Sequence, residues 1–368
     1  MPIYEIMQEC VIYGNNVIDF CQYITEMDWS KIRNNVYRFL MSHSKIKIRI
    51  GSCSVSLLKK LMSFSKKIDI EELEIYDSFL FRCYAKLIVQ FCQFVHLDKL
   101  VIKSSYSDYD IEPIFGSLPF MKITKLSVHK LTKKSLKLLS NRLQYTIREL
   151  HLPKCILSNN RMYYLSKALS QSKITHLYLN SNRIVLDGIV YLSRVLPLTN
   201  LVVLNLYGNR LGNSGISILS KYIPKCRTLR ELGLSRTNIF SEGFKVLCYI
   251  LPYTRITTLF VAQNFITQTD VEHVLVPILP KTFITKISWY GNMIEYHVQN
   301  EIHSGIKNIL LENVKKQKNH NNCFQFKLFL IMLNKQMKRN KHFENNIVLT
   351  TLCDYDLSFC IEEFLKIP

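Results

Sequence analysis

Alanine is almost missing from this sequence: in 368 residues it stands only at Ala85, Ala168 and Ala262. Ile, Lys, Asn, Tyr and Phe are common instead, the bias of an AT-rich genome such as that of a large DNA virus or a parasite. Acidic residues are also scarce. Against 48 Lys and Arg there are 28 Asp and Glu, a formal charge of +20. Such an excess suits an acidic partner, nucleic acid or an anionic membrane surface. A Lys-loading genome produces the same excess without any function.

No apolar run approaches the roughly 18 residues that span a bilayer. The first ten residues carry Glu5 and Glu9 and lack the basic and apolar regions of a signal peptide. There is no Asn-x-Ser/Thr sequon, no prenylation box and no Cys-x-x-Cys pair among eleven cysteines. An odd, scattered set of this kind supports neither a disulfide framework nor a metal ribbon. Reduced, mostly buried thiols are expected, in cytoplasm or nucleus and not in a secreted protein. P-loop, G-x-G-x-x-G, H-E-x-x-H and G-x-S-x-G signatures are all missing. No catalysis, no metal and no cofactor is therefore expected.

What is present is a repeat. Segments beginning at Ile174, Leu201, Leu229, Ile256 and Ile284 align as L-x-x-L-x-L-x-x-N-x-L, with Ile, Val or Trp at some Leu positions. The ninth position holds Asn182, Asn209, Thr237, Asn264 and Asn292, at successive spacings of 27, 28, 27 and 28. A sixth copy starts at Ile147, with Cys155 in the Asn position. Weaker copies start at Ile123, Leu97, Ile70 and near Lys45, making about ten repeats in all.

In L-x-x-L-x-L the fourth and sixth residues lie two apart, on one face of a short strand. They turn inward, and the third, fifth and seventh turn outward. The Asn amide can satisfy backbone groups in the following bend. Cys155 and Thr237 can do so only in part. Apolar residues spaced i, i+3, i+4 then mark a helix, as in Ile189, Leu192 and Leu196. Gly188, Gly215 and Gly243, each six residues after the ninth position, permit close approach to a neighbouring coil.

The repeat length, the helix and the Gly-x-x-x-Leu after N-x-L resemble the ribonuclease-inhibitor-like subtype of leucine-rich repeats. The resemblance is specific for residues 147–294 and extends back to about 45. It implies an α/β solenoid or horseshoe, with a concave parallel β-sheet, convex helices and helical caps at both ends. It also implies a macromolecular partner on the concave face. The expected division is a helical N-terminal cap (1–44), a repeat array (45–312) and a basic linker with a helical tail (313–368).

The outward fifth and seventh positions place Tyr178, Tyr207, Phe260 and Tyr290 on the concave face, where exposed aromatics anchor protein interfaces. Asn180, Asn205 and Glu231 surround them. His151 and His176 lie on a diagonal with His129, without a carboxylate or thiol to complete a metal site. Basic residues cluster at Lys125, Lys130, Lys133 and Lys134, and again at Lys335, Lys338, Arg339 and Lys341. The N-terminal half of the concave face is expected to be basic, through Lys47, Arg49, Lys99 and Lys103 beside Glu72 and Glu74.

The leading expectation is thus a monomeric, non-enzymatic scaffold for a protein partner, such as a host factor if the source is a virus or parasite. An adaptor joined to a ubiquitin ligase through an F-box-like end is one alternative, although the Leu-Pro start of an F-box is missing. A binder of nucleic acid or acidic membrane through the basic patches is another.

Overall fold

The computed structural model describes residues 6–318 apart from 8–9, 14–15, 21–25, 44, 52–55, 64–68, 77–81, 104–110, 144, 296 and 303. The expected tail helices, 324–338 and 346–366, lie outside the described residues, as do Lys335, Lys338, Arg339 and Lys341.

One sheet of thirteen strands runs through the described chain in sequence order. Its last eleven strands are mutually parallel. They are β3 (Val17–Phe20), β4 (Ile46–Gly51), β5 (Asp69–Tyr76), β6 (His96–Lys103), β7 (Lys125–His129), β8 (Glu149–His151), β9 (His176–Tyr178), β10 (Val203–Asn205), β11 (Glu231–Gly233), β12 (Thr258–Phe260) and β13 (Lys286–Ser288). Helices alternate with them: α1 (Glu26–Ser42), α2 (Ser56–Met62), α3 (Arg82–Phe94), α4 (Glu112–Ser117), α5 (Lys133–Ser140), α6 (Asn159–Leu169), α7 (Leu186–Val195), α8 (Gly212–Tyr222) and α9 (Ser241–Ile250). Strand and helix alternate one repeat at a time, and the chain is a leucine-rich-repeat solenoid.

The core lies between the sheet and the helices. The fourth and sixth positions of the regular repeats, from Leu150 and Leu152 to Ile287 and Trp289, are all at or below 7% exposure. From the convex side Ile189, Leu192, Ile216, Leu219, Phe244 and Leu247 meet them, each at or below 1%. Coils pack closely at the helix starts. A Cβ on Gly243 would lie 3.0 Å from the Asn213 Cα of the preceding repeat. Five repeats close on Leu-Pro or Ile-Pro, at Leu118, Leu196, Ile223, Leu251 and Leu279, each opening a 3-10 turn with that apolar residue buried. Proline suits this place because its missing N–H and fixed φ do no harm in a first turn.

The Asn positions form a ladder. Asn209 Oδ1 accepts the N–H groups of Asn182 and Ile184, both at 3.0 Å, and its Nδ2 donates to Leu179 and Leu206 carbonyls at 2.9 and 2.8 Å. Asn264 and Asn292 repeat the accepting half toward Thr237 and Ile239, and toward Asn264 and Ile266. Cys155 keeps a donor, Sγ to Val128 O at 3.2 Å, and Thr237 keeps one to Leu234 O at 2.6 Å. Neither supplies the amide acceptor. At Thr237 the backbone carbonyl takes its place, accepting from Leu211 and Gly212.

Two expectations need correction. Residues 1–44 are not a wholly helical cap. Strands β1 (Ile6–Met7) and β2 (Cys10–Tyr13) precede β3, and β1–β2–β3 pair antiparallel. Strand β3 then pairs parallel to β4, Ile18 against Ile48 and Phe20 against Ile50. The array therefore starts near residue 17 and has eleven parallel strands instead of about ten. The hairpin covers N–H and C=O groups that a bare first edge would expose, and among the described residues α1 is the one helical element there. Second, the boundary at 312 falls inside a terminal helix, helical over 297–302 and 304–318. Ile306 and Asn313 are buried there, and Asn313 Nδ2 donates to the Leu279 and Ile284 carbonyls at 3.1 and 2.8 Å. The degenerate repeats hold the longest strands, 8 residues in β5 and in β6 against 3 in each of β8 to β13. Without a ninth-position Asn to bend the chain, the ladder of backbone bonds runs on.

Candidate functional site

Register places the outward residues in straight rows across the sheet. The fifth positions run His151, Tyr178, Asn205, Gly233, Phe260, Ser288, each opposite the next. Tyr178 stacks on His151, with centroids 4.1 Å apart and planes at 11°. His151 Nε2 lies 2.6 Å from Glu149 Oε1. Burial holds the His151 imidazole below its ordinary pKa, against the raising effect of Glu149. Burial, then Glu149 and Glu231, push the Tyr178 phenol up.

Beyond this stack the row dips. Asn205 folds back, its Oδ1 accepting the Tyr207 N–H at 2.9 Å. Its amide lies over Gly233, where a Cβ would come within 2.9 Å of it. Across that dip stands Phe260, with Lys286 Nζ 5.5 Å from the ring centroid. Two aromatic shoulders thus flank a polar floor of Asn205 and Gly233, with Glu231 and Tyr207 to either side. Asn180 Oδ1 is buried without a hydrogen-bond partner among the described residues.

The aromatics are less exposed than the repeat pattern suggests. Tyr178, Tyr207 and Phe260 are half-buried, and Tyr290 alone of the four is widely open, at 61%. Neighbouring strands account for two of these, since His151 covers Tyr178 and Lys286 covers Phe260. His176 turns aside, its Nδ1 2.8 Å from Thr175 Oγ1. Among the described residues no group of three or more His, Cys, Asp or Glu could hold a metal ion.

The N-terminal half of the concave face is not the basic surface expected. It is a lattice of alternating charge. Glu74, with its side chain 8% exposed, binds both Arg49 at 3.3 Å and Lys103 at 2.5 Å. Lys99 meets Glu72 at 3.0 Å, and Lys47 meets Glu71 at 3.7 Å. Of the candidate patch, Lys125 pairs with Asp98 at 3.0 Å and Lys134 with Glu112 at 2.6 Å. Lys130 sits in the turn after β7, and Lys133 opens α5, so the four lysines do not converge. Strand partners 24 to 29 residues apart neutralise one another only because parallel register sets them side by side.

A different set of cations was not expected. Lys154, Arg183, Arg210 and Arg236 occupy the turns that follow β8, β9, β10 and β11. All four are exposed, and none has an acidic partner within ion-pair distance among the described residues. Arg210 and Arg236 line a groove of about 520 Å³ with Ser181, Gly208, Asn209 and Asn238. The signal was present in the repeat itself: a cation at the eighth or tenth position of four consecutive copies. Asp187 is the single acid between Glu149 and Glu231.

Cys92, Cys155, Cys226 and Cys248 are buried free thiols, and burial pushes Cys155 up to about 12. Among the described residues no helix is long and apolar enough to cross a membrane.

No protein-family model matches the chain, and the search of curated proteins found no relative. Among solved structures it is similar to an internalin from Listeria monocytogenes, at 15% identity and a TM-score of 0.38, over 68% of this chain and 67% of that one.

Proposed function

We propose that this chain is a non-enzymatic scaffold that binds a protein partner on the concave face of its leucine-rich-repeat sheet. The observation that carries this reading is the pair of aromatic shoulders, His151–Tyr178 and Phe260, about the Asn205–Gly233 dip. Rigid aromatics beside a polar floor suit a partner side chain that is apolar at its body and polar at its tip. Glu231, Tyr207 and the half-buried Asn180 supply polar contacts, and Tyr290 and His176 extend the surface. The 27–28-residue repeat with a full helix supports assignment to the ribonuclease-inhibitor-like subtype. Buried free thiols suit a reducing intracellular setting. We take the working unit as a monomer, and the partner as a host factor if the AT-rich source is a virus or parasite.

The adaptor reading loses its basis at the N-terminus, where β3 and α1 belong to the array. Affinity capture of partners with the wild type beside Tyr178→Ala/Tyr207→Ala/Phe260→Ala tests the proposal. Loss of a captured protein from a variant with an unchanged melting curve is expected. Retention of every captured partner overturns the site.

A further inference from the structure

The turns beyond the concave sheet carry a second surface, independent of the aromatic dip. They stack in register, each eighth-position N–H donating to the seventh-position carbonyl of the next repeat. Lys154 donates to Asn180, Ser181 to Tyr207, Gly208 to Ser235 and Arg236 to Ala262, at 2.8–3.0 Å. Neighbouring turns are therefore about 5 Å apart, the strand spacing, and the cations from Lys154 to Arg236 form a row about 15 Å long.

Two features set this row apart from an ordinary basic surface. First, it has no acidic partner among the described residues, while Lys47, Lys99, Lys103 and Lys125 of the N-terminal half of the concave face are paired. Second, it is rich in arginine, in a chain with 33 Lys and 15 Arg; guanidinium binds phosphate with two parallel N–H bonds. Lys154 and Arg236, at the eighth position, and Arg183, at the tenth, have φ of 54°, 57° and 59°, the left-handed backbone that these turns also adopt at Ser181, Gly208, Gln263 and Gly291.

At the C-terminal end of the same turns lies an aromatic platform. Phe240 and Phe265, bridged through their backbones, stack with centroids 4.5 Å apart and planes at 8°. They remain 49% and 40% exposed, beside Met293 at 64%. A basic track for a backbone together with exposed rings for stacking is the general recipe for single-stranded nucleic acid.

We propose that this turn edge binds single-stranded nucleic acid, with phosphates along Lys154, Arg183, Arg210 and Arg236 and a base stacked on Phe240–Phe265. An acidic protein segment would use the cations and leave the platform idle.

The test uses the full chain and fluorescently labelled 20-nucleotide uridine RNA. The matching single-stranded DNA, an RNA duplex and a poly-glutamate peptide of equal length are measured beside it. Wild type is expected to bind both single strands more tightly than duplex or peptide. RNA and DNA of equal affinity assign the contacts to phosphate and base; a preference for RNA adds the 2′-hydroxyl. Arg183→Gln/Arg210→Gln/Arg236→Gln is expected to weaken binding roughly 30- to 100-fold at low salt. It should also flatten the log–log salt slope by about 2, because each neutralised phosphate of a single strand contributes about 0.7. Phe240→Leu/Phe265→Leu should weaken binding about 10-fold with the slope kept, since stacking is not ionic. Tyr178→Ala/Tyr207→Ala/Phe260→Ala should leave it unchanged, which separates this surface from the concave one. No binding of either single strand, equal binding of poly-glutamate, tighter binding of duplex, or full affinity in the triple Gln variant overturns the proposal.

Discussion

Tyr178 lies flat on His151, 4.1 Å between centroids, while His151 Nε2 stands 2.6 Å from the Glu149 carboxylate. The ring is held between an apolar face that disfavours its charged form and an acid that favours it. Burial wins, and the His151 pKa lies below its usual value of about 6.5. The unfolded chain thus takes up a proton at higher pH than the folded one. The stability that His151 contributes is complete above about pH 6.5 and is lost as pH falls toward the depressed folded pKa. An NMR titration should show its midpoint below the ordinary histidine value of about 6.5. Glu149→Gln should lower it further, because both contributions of Glu149 raise it. A rise in Glu149→Gln would contradict this balance.

The Asn ladder sets a stability test. Asn209 is fully buried and serves two backbone N–H groups and two carbonyls of its own and the preceding repeat. Asn209→Ala leaves these groups unpaired and should cost about 3–5 kcal/mol in urea denaturation. Thr237→Asn should supply the side-chain amide acceptor in place of the Thr237 carbonyl and stabilise by about 1 kcal/mol. Equal, small effects from both would show that the ladder is not what holds the turns.

Gly233 keeps the concave dip open. In Gly233→Ala the new Cβ forces the Asn205 amide aside and breaks its hydrogen bond to the Tyr207 N–H. About 1 kcal/mol of stability should be lost. Capture of a concave-face partner should fall by much more than that loss explains, while oligonucleotide binding stays.

Arg236 links stability to the turn-edge surface. With φ at 57°, Arg236→Gly removes backbone strain and should stabilise the fold by about 1 kcal/mol. The same change removes a cation and should weaken oligonucleotide binding. A variant that melts higher and binds less would show that the arginine is kept against the preference of its own turn.

Much of the architecture was legible because its determinants are local and periodic. Leucines two apart point one way from a strand, and an Asn every 27 or 28 residues marks the turn, so ten of the eleven parallel strands could be placed. Strand β3 escaped because Asn15 stands where the repeat begins with Leu or Ile, although Ile18 and Phe20 keep the inward spacing. The turn-edge cations fall at the eighth and tenth positions, which the L-x-x-L-x-L-x-x-N-x-L pattern leaves free, so the pattern alone does not single them out.

By itself, then, the sequence determined the solenoid, its repeat length, its buried columns and the residues that face the concave side. Those follow from a periodic pattern that one coil imposes on the next. Only the tertiary structure decided which charges survive. Glu74 neutralises Arg49 and Lys103, and Asp98 neutralises Lys125, through register and rotamers that no spacing announces. It likewise half-buried Tyr178 beneath His151 and opened the dip at Gly233. Facing a solvent side is a property of one strand, but being covered or paired there depends on the neighbouring strands.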